Sequence, residues 1–365
     1  MTRPGSVAHV LWSGGVGGIE RVVHDLAFEQ MRQGLEVSVI FGQLGGPFGA
    51  AMRANGTRVV DLGLRSGYDL RPAVIRRGLA AVKDAEVLHL HGFNLPFAAI
   101  AWKARGDTVF TEHGAFGLGR RLGIAGVLKR RVQRTFLTGV AKVVVANSNH
   151  TADRLAALYS IDRNRITVVH NGFDGSSAFE PAEYSHVGLI VAFVGRLVRF
   201  KRVDLLLRAV AELPQGHDVR VVVAGDGPLR ARLISLVESL QLGGSVTFAG
   251  FRNDIGEVLS IADVLVQPSA QEPFGLAVLE AAAYGALPIV FADSGGALEV
   301  LPPDGLVVEG VDELTRALAG LEGSDALSHA ARCRRATWAR TNFSIGEVAR
   351  KYSRLYRTAS GKPGS

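Results

Sequence analysis

Two glutamates, Glu272 and Glu280, bracket the stretch EPFGLAVLE, and the residues that follow, AAAYGALPIVFA, are small or apolar almost throughout. A helix beginning near Gly275 places Leu276, Leu279, Glu280 and Ala283 on one face by the i, i+3, i+4, i+7 rule. A carboxylate on such a face costs free energy unless a polar group meets it. Two partners would satisfy Glu280: the vicinal hydroxyls of a ribose, with its charge retained, or an arginine such as Arg196. Glu272, just outside the helix, either faces a second polyol or is an ordinary exposed loop acid. The backbone N–H groups of the PFG turn can face a sugar hydroxyl or a phosphate oxygen, because Gly275 leaves them uncovered.

The stretch VGRLVRFKR sets Arg196 after a strand, with Arg199, Lys201 and Arg202 at the start of the next helix. Cations crowded at the positive end of a helix are mildly unfavourable on their own. A bound anion removes that conflict, phosphate above all, although a solvated basic turn explains the residues equally well. A second glycine loop, AGDGPLR, and a further one, ADSGGALEV with Gly295, Gly296 and Glu299, follow other strands. Each is weak alone; four consecutive ligand-compatible strand ends are not. In the first half His113 ends a strand within TEHG, where the residue by itself reads as a satisfied, partly buried histidine.

The elements that must position these residues alternate. The first half runs VAHVLW, a glycine loop, the helix IERVVHDLAFEQMRQG stopped by Gly34, and then EVSVIF, TRVVDL, VLHLHG, TVFTEHG, KVVVANS and RITVVHNGFD, with helices between. After a polar break at 174–186 the alternation restarts with VGLIVAFVG, an apolar run suited to a strand buried on both faces. Such alternation predicts α/β architecture with parallel sheets, here two doubly wound Rossmann-like domains facing a central cleft. The expected domains are 1–180 and 181–344, with a terminal helix at about 345–358 packing back on the first.

At 365 residues the chain is too long for one hydrophobic core, which agrees with two domains. Cys333 is the only cysteine, so no internal disulfide forms and a reducing cytosol is expected. The N-terminus lacks a signal-peptide core, and no apolar run reaches the ~18 residues of a membrane span. The expectation is a cytoplasmic protein, at most peripheral on the inner face of the membrane. The net charge of +7 belongs to the first half: residues 1–180 hold about 22 Lys and Arg against 14 Asp and Glu. The densest part, 118–134, carries Arg120, Arg121, Lys129, Arg130, Arg131 and Arg134 among apolar residues. It suits either a solvated basic face or an anionic partner, a membrane surface or an acidic acceptor. No nucleic-acid motif is present, and nucleic acid is not an expected partner.

Taken together these stretches resemble the retaining nucleotide-sugar glycosyltransferases of family 4, which have the GT-B fold. The resemblance covers nearly the whole chain: GGVGGIERVV, ANSNHTADRL, ITVVHNGFD, FVGRLVRFKRVDLLLRA, VVVAGDGPLR, ADVLVQPSAQEPFGLAVLEAAAYG and SGGALEV. Glu272 and Glu280, with seven residues between them, are similar to that family's two-glutamate signature.

The resemblance implies transfer of a hexose-type sugar from a UDP- or GDP-linked donor to the hydroxyl of an anionic or lipid-linked glycan, or of a natural product. It implies that Arg196 and Lys201 neutralise the donor diphosphate and that Glu280 holds the ribose. Glu272 and His113 would contact the transferred sugar, Phe274, Gly275 and Leu276 would present backbone to sugar and phosphate, and Gly17 and Gly18 would reach the diphosphate. Glu272, His113, Arg196 and Lys201 are thereby the expected catalytic residues. The nucleotide sugar is a substrate, and no cofactor is expected. No Asp-x-Asp occurs, so metal-independent activity is expected. One departure is PPDGLVVEG, shorter by a couple of residues than the family's loop at that point, although Glu299 is retained.

Three other functions compete for the same stretches. A nicotinamide dehydrogenase fits poorly, since SGGVGGIE lacks G-x-G-x-x-G spacing and EVSVIFGQ ends without a ribose-binding acid. A nucleotide-sugar epimerase of the same fold would bind the same donor without an acceptor. A non-catalytic binding protein would share the site without turnover.

Overall fold

The structure, a computed structural model, describes residues 5–15, 17–104, 106–114, 124–174, 181, 187–252 and 254–361. It separates into two compact units, Met1–Asp174 with Phe343–Ser365, and Gly175–Asn342.

The first unit runs β1 (Ser6–Ser13), α1 (Gly18–Arg32), β2 (Glu36–Gln43), α2 (Pro47–Ala54), β3 (Arg58–Asp61), α3 (Pro72–Val82) and β4 (Val87–His91). It continues with α4 (Leu95–Lys103), β5 (Asp107–Glu112), α5 (Ile124–Gly139), β6 (Val143–Ala146), α6 (Asn149–Tyr159) and β7 (Ile166–Val168). All neighbouring strands pair parallel, in the order β3-β2-β1-β4-β5-β6-β7. The order reverses between β1 and β4, the position at which open sheets of this kind take ligands beyond their carboxyl ends. Every residue of β4 is buried, two histidines included. Gly34, at φ +87°, ends the first helix, its N–H donating to the Met31 carbonyl.

The second unit runs β8 (Leu189–Val194), α7 (Val203–Ala211), β9 (Val219–Ala224), α8 (Arg230–Ser239), β10 (Val246–Gly250) and α9 (Gly256–Ile261). Then come β11 (Val264–Gln267), α10 (Leu276–Ala283), β12 (Leu287–Phe291), β13 (Leu306–Val308), α11 (Val311–Ala319) and α12 (His329–Asn342). Its sheet is again parallel, ordered β10-β9-β8-β11-β12-β13. All six residues of β8, LIVAFV, are buried, as a strand covered on both faces requires.

The helical tail is broken after α12, where the Phe343 carbonyl accepts a hydrogen bond from the Phe173 N–H of the first unit. Ser344 then caps α13 (Ile345–Ala359), its side chain accepting from the Gly346 N–H. This last helix buries Ile345, Val348, Ala349, Tyr352, Tyr356 and Ala359, a helical stripe, in the core formed by α1, β1 and β4. Of the polar break at 174–186 only Asp174 and Pro181 are described, and Arg120 and Arg121 lie outside the described residues.

Candidate active site

In the second unit three strand ends are bound to one another by main chain. The Ala270 N–H donates to the Phe200 carbonyl, the Gln271 N–H to Asp293 and the Glu272 N–H to Ser294, while the Gly296 N–H returns to the Glu272 carbonyl at 2.7 Å. Glycine permits these approaches. A β-carbon on Gly225 would lie 1.9 Å from the Gly195 carbonyl oxygen, and one on Gly296 would lie 2.1 Å from that of Pro273. The turns after β8, β9, β11 and β12 thus form one backbone-lined floor.

Lys201 and Glu272 meet on it. Lys201 Nζ lies 2.7 Å from Glu272 Oε2, and the side chains are only 12% and 14% exposed. Arg196 is exposed and makes no ion pair among the described residues, so it is not the structural partner of Glu280. Glu280 is 8% exposed on α10, which begins at Leu276, as the periodicity predicts. Gly275 caps that helix at φ 93° without a side-chain hydrogen bond, and Phe274 beside it is buried. Leu276 opens the first turn.

One expectation requires correction. Lys201 is delivered by a separate 3-10 turn, Arg199–Lys201, rather than by the first turn of α7. Arg202 closes that turn in the left-handed region at φ 49° and is no free cation. Its Nε donates to the Pro268 carbonyl at 2.6 Å and its Nη1 to Asp293 at 2.9 Å, and it stacks 5.2 Å from the Phe291 ring centroid. A bidentate fork to Asp293 holds the β8 turn against the β12 turn, a role suited to guanidinium geometry. Gln271 is also left-handed, at φ 53°, one residue before Glu272. Each such residue costs about 1–3 kcal/mol and persists where the surroundings impose it. In the PPDGLVVEG loop, Asp304 pairs with Arg335 at 2.8 Å.

In the first unit Gly17 is the extended N-cap of α1, without a side-chain cap hydrogen bond, and Gly18 is its exposed first residue. Glu20 folds back over this end. It accepts from Ser13 Oγ at 3.0 Å, which in turn accepts from the Gly15 N–H.

His113 follows β5 and is 7% exposed, its carbonyl accepting from Asn147 Nδ2. Burial holds its imidazole down at about 4, so it is neutral at pH 7. Beside it, burial pushes the Glu112 carboxyl up to about 7, against the backbone N–H groups of Gly114 and His113. Sequence reasoning missed what lies behind His113: His9, His89, His91, Gln30, Tyr352 and Tyr356, all buried. The available signal was histidine alternating with leucine in a strand too apolar to face water.

Residues 183–337 match the family Glycosyl transferases group 1, and residues 16–176 match Glycosyltransferase Family 4. A D-inositol 3-phosphate glycosyltransferase of Mycolicibacterium smegmatis is 32% identical over 340 residues, 82% of this chain and 77% of that protein. The enzyme of that name from Mycobacterium sp. (strain KMS) is 39% identical over 186 residues, and the match takes in 46% of this chain but 41% of the relative's length. Among solved structures, Anabaena HepE in complex with UDP and glucose superposes with TM-score 0.81 at 19% identity, over 97% of this chain and 99% of that one. Sucrose-phosphate synthase from Thermosynechococcus elongatus does so with TM-score 0.76 at 20% identity, over 97% and 98%. These likenesses show the GT-B fold. With two parallel α/β units, and a relative of this identity matched over most of both lengths, the chain belongs to the group 1 glycosyltransferases.

Proposed function

We propose that the protein is a retaining glycosyltransferase that moves a hexose-type sugar from a UDP- or GDP-linked donor to a hydroxyl of an anionic or lipid-linked acceptor. The observation that carries the reading is the Lys201–Glu272 pair on the glycine-built floor of the second unit. An ammonium and a carboxylate in contact, little exposed, match a ligand with a diphosphate next to a polyol. Lys201 turns to the phosphates and Glu272 to the sugar hydroxyls as the donor enters. Arg196, exposed and unpaired among the described residues, adds the second cation. Glu280 takes the ribose, and the N–H groups of Phe274, Gly275 and Leu276 face sugar and phosphate. Gly17 and Gly18 are assigned to the diphosphate and His113 to the sugar on the resemblance alone.

In this reading the acceptor attacks the front face, and a donor diphosphate oxygen takes its proton as the anomeric bond breaks. The protein's share is stabilisation of the departing negative charge. No metal enters that step. The acceptor assignment has two supports. The relatives carry an inositol phosphate in their name, and the positive charge of this chain is concentrated in residues 1–180. On α5, Val127, Leu128 and Val132 are exposed among Lys129, Arg130, Arg131 and Arg134. We assign this face to an anionic membrane at the cytoplasmic side. Equal sedimentation with anionic and neutral vesicles refutes that assignment.

The donor is tested by thermal shift with UDP, GDP, ADP and TDP, then their sugars, on wild type and Glu280→Ala. A ligand at a hundred times its Kd stabilises by about 2.7 kcal/mol. Selective stabilisation by one nucleotide, lost in the variant, identifies the base and places the ribose on Glu280. No shift with any of them removes the donor-site reading. Recovery of the nucleotide sugar with one stereocentre inverted, without transfer, makes the protein an epimerase instead.

A further inference from the structure

One face of the first sheet carries a continuous chain of hydrogen bonds between buried side chains. In-register pairing sets His9 beside His89 and His91 beside Thr111. From α1, Gln30 Oε1 lies 2.8 Å from His9 Nε2; His9 Nδ1 lies 2.9 Å from His91 Nε2; and His91 Nδ1 lies 2.9 Å from His113 Nε2. Gln30 Nε2 donates to the Tyr356 hydroxyl of α13 at 3.2 Å. That hydroxyl lies 2.7 Å from His89 Nδ1, and His89 Nε2 lies 2.7 Å from Thr111 Oγ1.

The direction of every proton follows from one end. The Gln30 amide nitrogen faces Tyr356, so its oxygen faces His9 and can only accept. His9 therefore carries its proton on Nε2. Burial holds His9 neutral, at about 4, so its Nδ1 is an acceptor and His91 must donate from Nε2. His91, also held well down by burial and its neighbouring imidazoles, accepts at Nδ1 from His113 Nε2–H. His113 is left with a bare Nδ1. On the side branch Tyr356 donates to His89, and His89 donates to Thr111.

His9, His89 and His91 also place one ring nitrogen each within 4.8 Å of one another, the donor set of a zinc site. Every one of their nitrogens already has a partner at 2.7–2.9 Å, so a metal would have to break the chain.

We propose that Gln30, His9 and His91 are positioning residues that hold His113 as the tautomer protonated at Nε2 and bare at Nδ1, with the polarity set by Tyr356 on the C-terminal helix. His113 then meets a ligand as a hydrogen-bond acceptor only, suited to a sugar hydroxyl and unsuited to a phosphate. What His113 meets rests on the transferase reading; its tautomer does not.

The test is two-bond proton–nitrogen correlation NMR on the full chain, labelled at histidine nitrogen, at pH 7.5, with His113→Gln to assign the signals. Wild type is expected to show Nε2 protonated and Nδ1 bare in one tautomer. Gln30→Met removes the terminal acceptor, and Tyr356→Phe frees the amide to turn over. Each is expected to move the two His113 nitrogens toward a common, averaged position. The second variant, lacking only a hydroxyl, serves if the first does not fold.

An averaged or Nδ1-protonated His113 in wild type overturns the proposal. So do unchanged signals in both variants, or a shift of the His9, His89 and His91 signals with one equivalent of zinc. Turnover of UDP-glucose is measured separately on the same proteins. Its absence in wild type counts against the transferase reading and leaves the tautomer result standing.

Discussion

Acid is expected to unfold the first unit well before the second. His9 and His113 sit in the native unit with their pKa lowered from 6.5 to about 4, and burial pushes His89 and His91 down as well. Between those values the unfolded chain binds protons that the native unit refuses, so stability falls as pH falls. The stabilisation is complete above about pH 6.5 and is lost progressively on the way to 4. At ~1.4 kcal/mol per pKa unit, His9 and His113 each account for about 3 kcal/mol of this loss.

Glu112 acts in the opposite sense. Its native carboxyl titrates near 7 against an ordinary 4.5, so over that interval it binds a proton on folding and offsets one imidazole. Three net protons remain once the unfolded imidazoles are fully protonated, a limiting slope of roughly 4 kcal/mol per pH unit. Integrated from pH 6.5, where the unfolded imidazoles are half protonated, down to pH 5, this removes about 5 kcal/mol, comparable to the lower end of the 5–15 kcal/mol of a domain. The second unit buries no histidine among the described residues.

Native-state hydrogen exchange read by mass spectrometry separates the units, with peptides from β1 and β4 set against β8 and β11. The first pair is expected to lose protection steeply between pH 6.5 and 5 while the second holds. A dependence in β1 and β4 below ~1.4 kcal/mol per pH unit, one proton's worth, refutes the account of buried neutral imidazoles.

Four further outcomes are expected. Gly225→Ala drives a methyl against the Gly195 carbonyl at φ +149°, and should cost about 3 kcal/mol in urea unfolding of the second unit and abolish nucleotide-induced stabilisation. Lys201→Met leaves Glu272 without its cation; about 1–3 kcal/mol of stability is lost and diphosphate affinity drops at least tenfold by calorimetry. Glu272→Gln should instead keep most of the binding and lose turnover, and equal loss of both would remove its role at the reacting sugar. Chelation is expected to leave turnover unchanged; complete loss restored by manganese would refute metal-independent transfer.

Local pattern carried much of this fold. The apolar run of β8 reads as a doubly covered strand because its six apolar residues are rich in Val, Ile and Phe, and the start of α10 is written in Gly275 and the spacing after it. What escaped depends on distant partners. Arg202 looks like one of four equivalent cations until Asp293, 91 positions on, engages it. Its left-handed backbone has no signature in a non-glycine residue. The imidazole chain escaped for the same reason: His9 and His91 are 82 positions apart, and Gln30 and Tyr356 are 326 apart. A histidine in a strand announces only that something polar must meet it. Periodicity cannot say that the partner is another histidine.

The closing contribution of α13 also orders the protein's birth. A ribosome adds roughly 5–20 residues per second, so the residues between Asp174 and Phe343 take on the order of ten to thirty seconds to emerge. Throughout that interval β1, β4 and α1 lack Tyr352 and Tyr356, the stripe that covers them. The nascent first unit therefore waits with an apolar face and a row of histidines open to solvent or to a chaperone. The second unit, contiguous in sequence, is free to fold first. The first sheet is made before the second unit, yet the helix that completes it emerges only after that whole unit has been made.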